Sequence, residues 1–360
     1  MSKKRRNAFK IRGGAGFFDD RAQRANLTKL GDPLVRLDAV IDWEIFRDDL
    51  RVVHEREGKS NAGRKPIDAL LMFKILILQR LYNLSDDQTE YQIRDRASFQ
   101  RFLGLHFEDG SPDAKTIWKF REQIKGANLE RDLFFRFESY LREKGLSAKG
   151  GQIVDATIVE APRQRNTREE KALTNKGEIP PEWDGQTHKI AQKDLDARWT
   201  KKRGQTYYGY KNHINADQEY KLIREYTVTD AAIHDSQVFD DVIDPLVQDR
   251  AVYADSAYRS AAREALLAGA GITSCIHERA HVNVPLSDAS KAANREKSSV
   301  RVRVEHIFGF LHTSMNRGGF VRTIGSQRAQ VIIALANLTY NLSRYVQVVA
   351  PRARPKLAAG

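Results

Sequence analysis

A single cysteine, Cys275, stands in the 360 residues. That excludes an internal disulfide and any multi-cysteine zinc cluster, and it fits a reducing cytosol. Long apolar runs are missing too. A membrane-spanning helix needs about 18 or more consecutive apolar residues, and the best stretch, ALLMFKILILQRLY, is broken by Lys74, Gln79 and Arg80. No membrane span is expected. The opening MSKKRRNAFK is basic but lacks the apolar core of a secretory signal, so export is not expected either.

What the chain does have is 41% hydrophobic residues, enough for real cores in two or three domains. It also carries a surplus of positive charge: 60 Lys and Arg against 47 acidic residues leave a formal +13. Such a field attracts polyanions, nucleic acid first among them.

Residues 1–60 combine a Lys/Arg cluster, the Gly-rich IRGGAGFF and the mixed segment LVRLDAVIDWEIF. They are expected to form a basic, partly disordered N-terminal segment. Helical periodicity begins at Pro66, with Leu70, Phe73, Ile77 and Leu81 spaced by three and four. Ser85 followed by Gln88 has the form of a capping box. In SPDAKTIWKFREQI, Ser111 or Asp113 caps a further helix with the stripe Ile117, Phe120 and Ile124, and Gly126 and Gly145 act as stops. Residues 61–148 thus read as an all-helical domain for DNA binding or dimerisation. Lys115, Lys119 and Arg121 fall on or near one exposed face, which suits either a helix entering a DNA groove or a packing module with a solvated basic side.

The texture changes at Gly150-Gly151. QIVDATIVEA alternates like a strand, and GYKNHINAD with YKLIREYTVTD reads as a hairpin around Asp217. An amphipathic helix (SQVFDDVIDPLV), a strand (AVYADS), a helix (SAAREALLAG), a strand (GITSCI) and a long helix through VRVRVEHIFGFL follow. That order predicts, over residues 149–346, an RNase H-like mixed sheet with helices on both faces, the chain as a whole being α+β. The polar stretch 163–200 is expected to be a mobile loop or insertion, and 347–360 a disordered tail. Phe134, Phe135, Phe137, Phe308 and Leu311 read as core.

Two acids stand out. Asp155 lies inside an apolar strand, where a carboxylate is costly unless it is paired or binds a metal. Asp255 ends AVYADS, where open sheets place their sites. Glu305 follows Arg301 by one helical turn inside an apolar stripe, so a helix packed on the sheet would bring it to the same point. Carboxylates suit Mg²⁺, and two such ions about 4 Å apart support phosphodiester chemistry without a covalent intermediate.

The strings IVDATIVEAP, DLDARWTKKRGQTYYGYKNHINAD, VTDAAIHDSQVF, VYADSAY, SSVRVRVEHIFGFLH and RAQVIIALANLTYNLSR resemble the bacterial DDE transposases of the insertion sequence five family. The similarity runs from about residue 60 to 345, and its most specific part is Arg301 followed four residues on by Glu305. Two positions depart from the family signature: Ser298 stands where it has Tyr, and His312 where it has Lys or Arg.

The resemblance implies that Asp155, Asp255 and Glu305 bind two Mg²⁺ ions, with Mn²⁺ able to substitute. The enzyme would cut at an element's terminal inverted repeats and join the 3′-ends to target DNA. It further implies phosphate contacts at Arg301, Lys211, His213 and His312, a homodimer or larger assembly on double-stranded DNA, and a cytoplasmic, nucleoid-associated bacterial protein. A nuclease of the same fold that cuts without joining would use the same carboxylates. HERAH, residues 277–281, also matches the H-E-x-x-H zinc string, but it follows a strand directly, and Val282, Val284 and Pro285 oppose the helix that His277 and His281 would need. It is expected instead as a basic, His-bearing loop next to the active site.

Overall fold

The computed structural model describes residues 19–54, 66–106, 109–202, 204–244, 251–280, 285–315 and 321–350. Helices α1 (Asp19–Lys29), α2 (Pro33–Val40) and α3 (Arg47–Arg51) lead into α4 (Ala69–Leu81), α5 (Asp86–Asp95), α6 (Ala97–Leu103), α7 (Ala114–Gly126) and α8 (Leu129–Glu143). Ser85 and Gln88 close a capping box on α5, and Asp113, not Ser111, caps α7 by accepting from the Thr116 N–H. Helix α4 is apolar almost all round and buries Phe73, Leu76 and Ile77 completely, so it is the hub of this helical body.

The boundary expected at residue 60 does not hold. Leu34, Leu37, Phe46 and Leu50 lie in the same core as Phe73 and Phe137, and Trp43 meets Phe102 edge-on at 5.5 Å. The apolar positions of LVRLDAVIDWEIF are what dock it. Residues 1–18 lie outside the described residues, as do 351–360 of the tail expected to be disordered from 347, while residues 347–349 are helical.

The second half contains β1 (Gln152–Glu160), α9 (Arg168–Thr174), α10 (Thr187–Ala191), β2 (Arg198–Lys202), β3 (Gln205–Asp217), β4 (Ile223–Asp230) and α11 (Phe239–Val242). It continues with β5 (Ala251–Ala254), α12 (Ala261–Gly269), β6 (Thr273–Ile276), α13 (Asp288–Gly309) and α14 (Ser326–Val349). The sheet runs β3-β1-β5-β6, with β2 and β4 both paired to β3; β1 is antiparallel to β3 and parallel to β5, and β5 is parallel to β6. Three antiparallel strands, β4-β3-β1, followed by two parallel ones, give the RNase H-like order. Gly209 permits the close crossing of β3 over β1, since a Cβ there would strike the Val159 carbonyl oxygen.

Both faces of the sheet are covered. Val154, Val252 and Ala254 pack with α11 and α12, while Ile153, Ile214 and Ala216 pack with α13 and α14. Helix α14 is shared property: it contacts α2, α4, α7 and α8 on one side and β3 and β4 on the other. Buried amides fix its register on the sheet. Asn337 and Asn212 exchange hydrogen bonds at 2.8 and 3.1 Å, and Asn341 bonds both backbone groups of Ile223.

Two expectations need correcting here. Residues 163–200 are not a bare loop: α9 and α10 fold around the fully buried Trp183, whose indole N–H donates to Glu170 at 2.5 Å, with the Lys189 and Lys193 ammonium groups over the ring. One buried indole can organise so polar a stretch because its neighbours are capped and paired. Within the described part of SQVFDDVIDPLV the expected α-helix is confined to α11, with Ile243 already extended, and residues 245–247 lie outside the described residues.

Candidate active site

Strand alternation sorts the residues of β1 before any chemistry is considered. Ile153, Asp155, Thr157 and Val159 face α13 and α14; Val154 faces α11 and α12. Asp155 is therefore under α13, its side chain 16% exposed. Its Oδ1 accepts from the Ala156 N–H at 2.8 Å, and its Oδ2 accepts from Arg301 Nη1 at 2.5 Å. Burial pushes the Asp155 carboxyl up, and the Arg301 guanidinium and the Ala156 N–H pull against it.

Asp255 stands two residues beyond Tyr253, which pairs with Ile153, so it reaches the same level of the sheet as Asp155 on the neighbouring parallel strand. It caps a short 3-10 turn, Ser256–Tyr258, through Oδ1. Glu305 lies one turn after Arg301 on α13, 63% exposed, with Oε1 at 3.9 Å from Arg301 Nη2. One guanidinium thus sits between two of the three expected carboxylates. Among the described residues no three His, Cys, Asp or Glu side chains are close enough together to hold a metal ion.

Just past the next strand stands His277, part of the HERAH string expected as a basic, His-bearing loop next to the active site. His277 donates its backbone N–H to the Ala254 carbonyl, which sets it beside Asp255. Its ring lies 3.3 Å from the Ser298 hydroxyl, and burial followed by Arg301 lowers its pKa. Residues 277–280 form no helical turn, which removes the H-E-x-x-H geometry there; His281 lies outside the described residues. Tyr258 was missed in the sequence. It is fully buried, its hydroxyl has no described partner, and burial together with Asp155, Asp235 and Asp255 raises its pKa. The only signal in the sequence was its place three residues after Asp255.

The remaining expected contacts divide. His312 sits in a π-helical stretch, Phe310–Met315, with Nε2 2.6 Å from Thr157 Oγ1, on the same face as Asp155. Lys211 and His213 do not share that face: they pair with Ile158 and Ala156, whose side chains point the other way. Lys211 is held by Asp235 at 2.8 Å and the Ile233 carbonyl, and buried His213 bonds Thr229. Their arrangement is that of a structural cluster behind the sheet. Arg121, expected on an exposed face, is buried and bidentate to Asp86 at 2.7 and 2.8 Å, with Gln79 as a third partner. Lys115 and Lys119 are exposed on α7 beside the half-exposed Trp118.

Asp155 inside β1 and Asp255 just past the end of β5 stand within an RNase H-like strand order. The family model described as Transposase DDE domain matches residues 147–342, more than half of the chain, and the one described as Transposase domain (DUF772) matches residues 22–123. The chain belongs to the DDE transposase family and is a DNA transposase, in keeping with the insertion sequence five resemblance. It is similar to a solved structure, a cryo-EM structure of piggyBac transposase synaptic complex with hairpin DNA, at 11% identity and TM-score 0.43, over 86% of this chain and 73% of that one. Among the described residues no helix is long and apolar enough to cross a membrane.

Proposed function

We propose that the protein binds the terminal inverted repeats of an insertion sequence, cuts DNA strands there and joins the 3′-ends to target DNA. The observation that carries this reading is the level placement of Asp155 and Asp255 on adjacent parallel strands beneath α13, with Arg301 between Asp155 and Glu305.

By its chemistry the donor set suits a hard divalent cation, while in this structure the three carboxylates are not gathered around one point. The set is all oxygen, and Asp255 and Glu305 keep oxygens with no described hydrogen bond. Asp155, Asp255 and Glu305 would hold two Mg²⁺ ions, with Mn²⁺ as a substitute. Bound there, the ions would supply the positive charge that activates the attacking oxygen and stabilises the leaving one. The chain's own part is positioning. Arg301 offers a rigid fork to a phosphate next to the carboxylates and pulls against the burial that raises the Asp155 carboxyl. His312, anchored by Thr157, reaches the same strand of DNA further along β1. Exposed Lys115 and Lys119 hold the duplex from the helical domain by charge alone. Two ends held together require a dimer or larger assembly, working in the cytoplasm at the nucleoid.

The test is cleavage and joining of linear DNA carrying the element's ends, with Mg²⁺, Mn²⁺ or EDTA, for wild type beside Asp155→Asn and Glu305→Gln. Metal-dependent cleavage with 3′-end joining, lost in both variants while DNA binding survives, supports the reading. Cutting without joining by the wild type turns it into a nuclease, and normal cutting by both variants removes the carboxylates from the mechanism.

A further inference from the structure

Arg80 ends α4 with its side chain turned into the junction between the helical body and the sheet. Its Nε is enclosed, and among the described residues the guanidinium has no hydrogen-bond or ion-pair partner. The charges around it are mostly of its own sign. Arg121 and Arg322 are its positive neighbours, and the nearby acid, Asp86, is already taken by Arg121 through two hydrogen bonds.

Burial first, then Arg121 and Arg322, draw the Arg80 pKa down to about 9. A guanidinium keeps its proton in proteins, so the shift marks an uncompensated charge. The carbonyl end of α4 offers only about half a unit of negative charge and no hydrogen bond to the fork. Arg80 is half-buried, its Nε enclosed, and a partly enclosed charge without a partner favours an anion that completes it.

A small, open-mouthed cleft of about 30 Å³ lies in front of Arg80, its amides Asn212 and Asn337 bonded to each other and its Thr157 to His312. These four residues line it over an apolar floor that includes Val159 and Ile332. Thr157 is two residues from Asp155 on the same face of β1, about 7 Å along an extended strand. Arg322 stands exposed near the rim, its Nη1 3.4 Å from the Asn83 carbonyl.

We propose that this cleft binds a backbone phosphate of the DNA strand, with Arg80 as its bidentate ligand and His312 and Arg322 at its sides. The inference rests on the reading that DNA crosses β1 at Asp155, and it gives the helical domain a direct hand on the strand being processed. A phosphate neighbouring the reacting one is held from across the domain junction, which fixes the strand at two points.

The experiment uses full-length protein with Arg80→Met and Arg80→Lys. Melting temperature is measured with and without inorganic phosphate, and affinity for a short duplex is measured against salt concentration. In phosphate-free buffer Arg80→Met should melt at or above wild type, because a half-buried charge without a partner has been removed, and it should lose the stabilisation that phosphate gives the wild type. Its DNA affinity at low salt should fall roughly tenfold, with a salt slope shallower by about one, while Arg80→Lys keeps most of the slope. An Arg80→Met protein that melts well below wild type without phosphate would show a purely structural arginine and overturn the proposal. Unchanged DNA affinity and slope would overturn it too, and if phosphate still stabilised the wild type the cleft would be a free-anion site and not a DNA site. Asp155→Asn, run alongside, separates the two readings: if it still cuts DNA the carboxylate assignment fails, while the Arg80 result stands by itself.

Discussion

Arg301 donates from α13 to Asp155 on β1 at 2.5 Å, and no other described side chain hydrogen-bonds that carboxylate. Removing one member of a largely buried pair leaves the other stranded, at a cost of about 3–5 kcal/mol when fully enclosed. Arg301 is about a quarter exposed, so about 2 kcal/mol is expected here. Arg301→Gln should therefore lower stability by that amount in metal-free buffer, and Arg301→Gln combined with Asp155→Asn should lower it by less than the sum. Denaturant unfolding of the double-mutant cycle decides it; strict additivity would mean that the two side chains do not interact.

Asp155→Asn and Asp255→Asn should each reduce strand cleavage by at least ~10³-fold, equivalent to about 4 kcal/mol of barrier, with DNA affinity within a few-fold of wild type. Gel assays of cleavage and of binding on the same samples separate the two effects. A loss of binding equal to the loss of cutting would mean that these acids serve the fold or the DNA contact instead.

Lys115 and Arg121 should part company. Lys115→Gln and Lys119→Gln are expected to make the salt dependence of DNA binding shallower by about one unit each without touching stability. Arg121→Gln breaks a buried ion pair with Asp86 and should lower stability by about 3 kcal/mol with no change of slope. The salt titration and the thermal melt, run on each variant, give the answer.

His213 and Glu122 predict how acid acts on the fold. Burial, aided by Lys211, holds the folded His213 pKa down to about 4 from 6.5, so the unfolded state takes up the proton first. The stability it contributes is present above pH 6.5 and is lost as pH falls toward 4, by up to about 3 kcal/mol. His213→Gln should flatten that part of the profile. Glu122, bidentate to Arg328 at 2.7 and 2.9 Å, is held down to about 2 by that hydrogen bonding. Its contribution, about 2 kcal/mol, is present above pH 4.5 and fades as pH drops toward 2, so Glu122→Gln should differ from wild type at pH 7 and converge with it in acid. Melting temperature against pH for the three proteins measures both windows.

Much of this arrangement was legible in the residues. Asp155 betrayed itself as an acid in an apolar strand, and Arg301 with Glu305 by their four-residue spacing. The strand order gave away the RNase H-like sheet because each strand is bounded by turn chemistry. What was hidden depends on partners far apart in sequence. The face on which Lys211 and His213 lie follows from the register of β3 against β1, and a slip of one residue would have turned them toward Asp155. Arg121 looked like a surface cation until Asp86, from a different helix, claimed it. His277, just past β6 and expected in a loop next to the site, is set there by a backbone hydrogen bond to the Ala254 carbonyl, which the sequence alone does not give.

Helix α14 spans Ser326–Val349, near the end of the chain, yet its side chains complete the packing of α2, α4, α7 and α8, which are synthesised first. A nascent chain on the ribosome therefore holds an open apolar groove in its helical half until α14 emerges. A chain cut ahead of residue 326 would leave that groove open and its helical half without a finished core.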